Sequence, residues 1–396
     1  MLDFGKLIEQ IELVGRETFD QRASSAELII RAEDAYTRAC QNPPLFDRRL
    51  RANTNSVLWP LALPLEPFTK TIELSPVQED ITVMAVDGSQ IMPSQHEIHA
   101  CFLLNIGFVQ LAYGTQLPPV LESFPHLYHR REDLYPLVDR RRLHIDELYV
   151  SLERNLLEFE YLANRIPQAR QIGNPVLAMV DGSLIPWSVE RMPEPYQKRY
   201  LERCTTMMRA FKEKGVPVVG YISHSRSSEL VNDLRVSICP YEESRCKEHC
   251  GRLNEEDFPC SVIWPLQDRT MLGRQLGNHQ RTATFLSGAS VSKSFPDDIR
   301  ICFLYLNIQD EIARIEFPRW LLSDKSMFDT TLGAVLSQAR KGMGYPVVLA
   351  EAHHLAVIKG NDRQQFFDLL ARHLVSIGAQ GVTVSPKEKK KRIGLV

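Results

Sequence analysis

Apolar and polar positions follow two different periods along this chain. Residues 1–41 carry Phe4, Leu7, Ile8, Ile11 and Val14 at helical spacing, then Ala26, Leu28, Ile29, Ala32 and Tyr36, which predicts amphipathic helix. Residues 42–80 are rich in proline and read as an irregular connector. From Ile81 the pattern changes to short apolar, β-branched runs. Ile81 to Asp87 predicts a strand that leaves its sheet at Asp87-Gly88-Ser89, and His96 to Gly107 and Phe108 to Tyr113 predict two more, spaced as antiparallel neighbours. A proline-bearing, basic excursion fills 115–140, and Leu143 to Ile166 is the clearest helix of the chain. A second strand with the same ending follows, Val176 to Asp181-Gly182-Ser183, then a helix over 196–214 and a strand over 216–223.

Strand, strand, strand, helix, strand, helix, strand is the order of a ribonuclease H-like core, an α/β fold with a mixed five-stranded sheet and flanking helices. In such a core the first and fourth strands are neighbours, so Asp87 and Asp181 should meet. The C-terminal third adds a strand pair over 299–308 and 312–320 and helices over 328–340 and 363–375. The expected organisation is an N-terminal helical extension with its connector (1–75), a core with C-terminal additions (76–385) interrupted by a cysteine-containing insertion at 236–265, and a basic tail (386–396).

Asp-Gly is a common turn signal, and one copy means only that a strand ends. Two copies on neighbouring buried strands supply what a hard divalent cation such as Mg²⁺ or Mn²⁺ takes, oxygen ligands with open positions for water. A third carboxylate would come from the helix between them, where Glu153, Glu158 and Glu160 are candidates. Glu158 is the first choice and Glu160 the second; the others are ordinary solvated carboxylates. Farther on, Gly344-Tyr345-Pro346 leads an apolar run containing His353 and His354. Such histidines are commonly structural, yet a carboxylate site often gains a ligand or proton-transfer group from a distant segment.

Composition narrows the classes. With 396 residues, 44% of them hydrophobic, the chain can bury a sizeable core, and no apolar run approaches membrane-spanning length, which predicts no membrane partner and a cytoplasmic location. A net charge of −2 offers no global field for nucleic acid. DNA contact would fall to local clusters: Arg48, Arg49 and Arg51; His129 to Arg131; Arg140 to Arg142; Lys387 to Arg392. There is no Gly-rich phosphate loop, so any ATP-driven work belongs to a partner. Among eight cysteines, Cys101 and Cys302 read as small core residues, whereas Cys239, Cys246, Cys250 and Cys260, spaced Cys-x6-Cys-x3-Cys-x9-Cys with His249 beside the third, could hold structural zinc or an iron–sulfur cluster.

The two Asp-Gly-Ser strands, the glutamate-bearing helix before the second, the Gly220-Tyr221-Ile222-Ser223 strand and, above all, Gly344-Tyr345-Pro346 with Glu351-Ala352-His353 resemble the NurA nuclease family over about residues 80–385. The resemblance implies a Mn²⁺-dependent (or Mg²⁺-dependent) ribonuclease H-like nuclease that resects DNA strand ends 5′ to 3′ in double-strand break repair, with endonuclease action on single strands. It implies a homodimer seated on a HerA-type hexameric translocase. Carried over by residue, it makes Asp87, Asp181 and Glu158 metal ligands and Tyr345 and His353 the late members of the site, with His353 as a further ligand; His354 has no role. The cysteine segment and the first 75 residues have no counterpart in the resemblance. Two readings from other classes stand beside it: a catalytically silent DNA-repair scaffold, and a metal-dependent phosphohydrolase of small nucleotides.

Overall fold

The computed structural model describes residues 3–77, 80–93, 100–309 and 311–378, and every side chain among them except those of residues 9 and 15–25. The basic tail, with Lys387 to Arg392, and the start of the strand expected from His96 lie outside the described residues. Two compact units form, one from Met1–Ser75, Ile222–Lys293 and Arg300–Arg319, the other from Pro76–Tyr221, Ser294–Ile299 and Trp320–Val396.

The second unit is the ribonuclease H-like core. Its elements are β1 (Thr82–Ile91), β2 (Phe102–Ala112), β3 (Val120–Tyr128), α1 (Glu147–Arg170), β4 (Val176–Asp181), α2 (Glu194–Glu213), β5 (Val218–Ile222), α3 (Lys325–Lys341), α4 (Val347–Ala356) and α5 (Gly360–Ser376). The sheet order is β5-β4-β1-β2-β3. β1, β2 and β3 pair antiparallel, and β4 runs parallel to both β1 and β5. Val83, Met84, Ala85 and Val86 are fully buried because helices cover both faces of β1, which is why the strand reads as a continuous apolar run rather than an alternating one.

Two glycines set how closely those helices approach. Gly107 on β2 lies opposite Asp87, and a Cβ there would come within 2.4 Å of the Ala352 carbonyl oxygen of α4. Gly88, whose side-chain position points to the other face, would place a Cβ 2.5 Å from Glu158 Oε1 of α1. The sheet is thus clasped between backbone-close helices at one level along β1. α4 is further tied down at its C-terminus, where Asn105 Nδ2 donates to the Leu355 and Ala356 carbonyls at 3.1 and 2.9 Å and the Ser89 hydroxyl also donates to Ala356.

Several expectations are corrected. β1 does not end at Asp87 but continues to Ile91, with Ser89 paired to Asn105, so Asp87 sits inside a strand. The strands expected at 96–107 and 108–113 are one strand, β2, and the third antiparallel strand, β3, arises in the supposed excursion. There Phe124 and Glu122 face α1, and Pro125 is tolerated because β3 is the edge strand of the sheet among the described residues. Finally, the proline-rich connector contains a helix, Pro43–Asn53, because proline suits the first helical positions and the Asn42 side chain caps the Leu45 N–H at 3.2 Å.

In the first unit, Phe4–Gln41 is a single helix of 38 residues. Ala32, Ala35 and Ala39 bury their stripe, whereas Phe4, Ile8, Ile11 and Val14 are exposed. An antiparallel sheet joins Ala62–Pro64, Phe285–Ser287, Ile301–Ile308 and Glu311–Pro318, the last two being the expected strand pair. Glu229–Ile238 packs against the N-terminal helices. No helix among the described residues is long and apolar enough to cross a membrane.

Gly107→Ala should lower unfolding stability by about 1–3 kcal/mol, the usual cost of forcing extra volume into a packed contact, with the denaturant slope unchanged. Gly360→Ala, at a position with open space around it, should be close to neutral in the same urea titration.

Candidate functional site

The parallel pairing of β1 and β4 places Val86 beside Val180, so the next residues, Asp87 and Asp181, are side by side on one face. α4 covers that face, and His353 on it lies with Nδ1 2.7 Å from Asp87 Oδ2. Asp181 accepts a hydrogen bond from the Tyr345 hydroxyl. Burial raises the Asp181 carboxyl above the ordinary range, as does Asp87; the Tyr345 bond and His353 oppose the shift. Tyr345 is itself held edge-on by the buried Tyr221 ring, centroids 5.5 Å apart and planes at 89°, and Tyr221 donates to the Gly344 carbonyl at 3.4 Å.

Glu158 reaches the same patch from the opposite face of β1, through the space that Gly88 leaves open. It is buried, and its pKa is pushed up to about 8, first by burial and then by the negative charges of Asp87 and Asp181. Arg154 opposes this shift. Its Nε stands 3.2 Å from Glu158 Oε1 without the alignment of a hydrogen bond, and its Nη1 is 3.4 Å from Gln90 Oε1. The other two helix candidates are engaged differently: Glu153 accepts from Tyr196 at 2.9 Å and from Arg203 at 2.9 Å, and Glu160 accepts from Arg203 at 2.6 Å. His354 points away and faces Glu351 at 3.8 Å.

Asp87, Asp181, Glu158, Tyr345 and His353 are therefore neighbours. Among the described residues, no three histidine, cysteine or acidic side chains are grouped as a ready single-ion site. Yet the donor set suits a divalent cation: Glu158 Oε1 is buried without a hydrogen-bond partner, and like-charged carboxylates share one patch. Other participants were not singled out from sequence. Gly107 and Asn105 had a signal, a glycine and an asparagine inside an apolar strand, which marks close backbone approach or a side chain with a specific partner. Tyr221 lay within the Gly220-Tyr221-Ile222-Ser223 strand that carries the resemblance, without a role of its own, and Arg154, an arginine on a helix, is ordinary by type.

A sequence model of the NurA domain matches residues 81–358, most of the chain. The chain belongs to the NurA family. All five neighbours fall within the matched span. Among solved structures, the NurA nuclease from Sulfolobus solfataricus superposes with a TM-score of 0.50 at 11% identity, covering 78% of this chain and 89% of that one. The catalytic domain of human endonuclease V matches at a TM-score of 0.32 and 13% identity, over 82% and 96% of the two chains. No curated protein matches the sequence.

The raised Glu158 pKa gives this NurA-family chain a pH-dependent stability with a definite sign. Below about pH 4.5 the carboxyl is protonated folded or unfolded; between there and about 8 only the unfolded chain ionises it, so stability falls as pH rises through that window. In EDTA the wild type should lose melting temperature across this range relative to Glu158→Gln, which has no proton to lose. Parallel melting curves for the two proteins would exclude a buried, protonated Glu158.

Proposed function

We propose that the chain is a metal-dependent DNA nuclease that hydrolyses phosphodiester bonds. The observation that carries this reading is the gathering of Asp87, Asp181 and Glu158 around one level of β1, with His353 on Asp87 and Tyr345 on Asp181, in a chain of the NurA family.

Asp87, Asp181 and Glu158 would hold Mn²⁺ or Mg²⁺, with His353 as a further donor. When bound, such an ion offsets the charge of the scissile phosphate and makes hydroxide available near neutral pH. The protein's own groups supply the orientation. Asp87 fixes the His353 ring, so that the imidazole either adds a donor to the ion or hands a proton to the leaving oxygen. Asp181 fixes the Tyr345 hydroxyl beside the phosphate, and Tyr221 stops that ring from turning. Arg154 balances part of the carboxylate charge while substrate is absent. Exposed Arg130, Arg131, Arg140, Arg141 and Arg142, in the same unit, are the local basic groups that a strand of DNA would follow despite the net charge of −2.

The finer assignments rest on the family resemblance: digestion 5′ to 3′ with endonuclease action on single strands, end resection in double-strand break repair, a homodimer, and a HerA-type hexameric translocase as partner; work in the cytoplasm rests on the chain's hydropathy alone.

The test is digestion of end-labelled single- and double-stranded DNA by the full chain with Mn²⁺, Mg²⁺ or EDTA. Wild type should digest DNA with Mn²⁺ and not with EDTA, and Asp87→Ala and Asp181→Ala should abolish the activity while remaining folded. His353→Ala should retain a residue of activity, reduced by about 10²-fold or more, as expected on losing a proton donor. Cleavage of free nucleotides alone would favour the small-molecule phosphohydrolase. Inactivity with every metal, even with a HerA-type partner, would favour the scaffold.

A further inference from the structure

Residues 239–266 of the first unit hold little regular structure, a four-residue helix at Cys246–His249 and single turns at Glu255–Asp257 and Ser261–Ile263. The segment is rich in charge, with Glu242, Glu243, Lys247, Glu248, Glu255, Glu256 and Asp257. A stretch this long without strands or a long helix needs some other source of order. Its buried apolar groups are few. Cys239, Cys250 and Cys260 pack with Phe258 in a small cluster of their own, with Trp59 against it. Cys246 is also buried, its backbone N–H donating to the Ser56 carbonyl at 2.9 Å. None of the four is in a disulfide.

Two further observations separate this group from cysteines serving as small core residues. Cys246 and Cys250 stand one helical turn apart, the Cys250 N–H donating to the Cys246 carbonyl at 2.9 Å, which brings the fourth buried thiol to the cluster of the other three. The second is Arg235, a guanidinium only 2% exposed that lies over the Trp59 ring at 3.7 Å, hydrogen-bonds the Cys260 thiol and acts on Cys250. Among the described residues its ion-pair partner is Glu255, at 3.0 Å but half-exposed, so its counter-charge is partly open to solvent. A buried cation is expensive unless negative charge faces it. Glu255 supplies such a charge from the solvent side; neutral thiols add none on the buried side, whereas metal-bound thiolates would.

We propose that Cys239, Cys246, Cys250 and Cys260 are the ligands of a structural tetrathiolate metal centre, either a single zinc ion or an iron–sulfur cluster, that orders this segment. Binding releases the thiol protons to solvent, and Arg235 compensates the thiolate charge. Among the described residues no three of these side chains are grouped as a ready single-ion site, so binding of either centre has to draw the thiols closer together. His249, stacked on Tyr241 at 3.9 Å, is engaged elsewhere.

The full chain, purified without chelator and without air, is assayed for zinc, iron and acid-labile sulfide and for visible absorption. About one zinc per chain supports the zinc form, and iron with matching sulfide and a brown colour supports the cluster. In Cys246→Ser and Cys260→Ser the metal content should fall several-fold, while Cys40→Ser, outside the group, retains it. Should the serine variants fail to fold, stepwise mercurial titration of the wild type decides: metal leaving in proportion to the group's thiols supports the proposal. A metal-free chain from zinc- and iron-supplemented cells whose melting temperature is unmoved by added zinc overturns it, as does a disulfide among the four. These readouts do not depend on nuclease activity, so the two proposals fail separately.

Discussion

Three carboxylates held around one level of a buried strand are the constraint to which the core answers. Asp87 and Asp181 are forced together by the parallel pairing of β1 and β4, and Glu158 is brought to them through the backbone at Gly88. Such an arrangement opposes folding, because each charge raises the free energy of ionising the next. The fold offsets this with single partners: His353 on Asp87, Tyr345 on Asp181 and Arg154 beside Glu158. Each partner comes from a helix or loop whose position depends on close contact with the sheet, so electrostatics at the site and packing of α1 and α4 are one problem.

The first unit meets burial of charge differently. Arg314, buried in Glu311–Pro318, donates to Glu229 and Glu316 at 2.8 Å each and stacks over the Phe303 ring at 3.6 Å. Asp268 accepts from the Leu230 and Val231 N–H groups, which caps the helix Glu229–Ile238, and from the Tyr305 hydroxyl at 2.8 Å. Burial pushes Asp268 up to about 6 despite these bonds. Every charge named there has a partner, as a buried network requires for stability. Glu158 has an ion pair with Arg154 at 3.2 Å but no aligned hydrogen bond to its Oε1, a less complete arrangement than the Arg314 and Asp268 networks.

Much of the core was legible in the chain because its strands are buried on both faces and its helices are amphipathic. The runs at 82–86 and 176–180 could hardly be anything but central strands, and Asp146 capping the Tyr149 N–H at 2.8 Å starts α1 close to where periodicity placed it. β3 was missed because Pro125 and its half-exposed alternation resemble a loop when neighbours are unknown. The helix at Pro43–Asn53 was missed because proline marks both connectors and helix starts.

For the site, sequence alone determined the residue types and the order of strands, and hence that Asp87 and Asp181 would be adjacent. That followed because pairing in a ribonuclease H-like order leaves the first and fourth strands no other relation. Tertiary structure decided the rest: that Asp87 lies within β1 rather than at its end, that Arg203 takes Glu153 and Glu160 while Glu158 lies against the aspartates, and that His353 meets Asp87 across more than 260 positions of sequence. These choices depend on which atoms fit against Gly88 and Gly107, a question of distance between segments that no local pattern encodes.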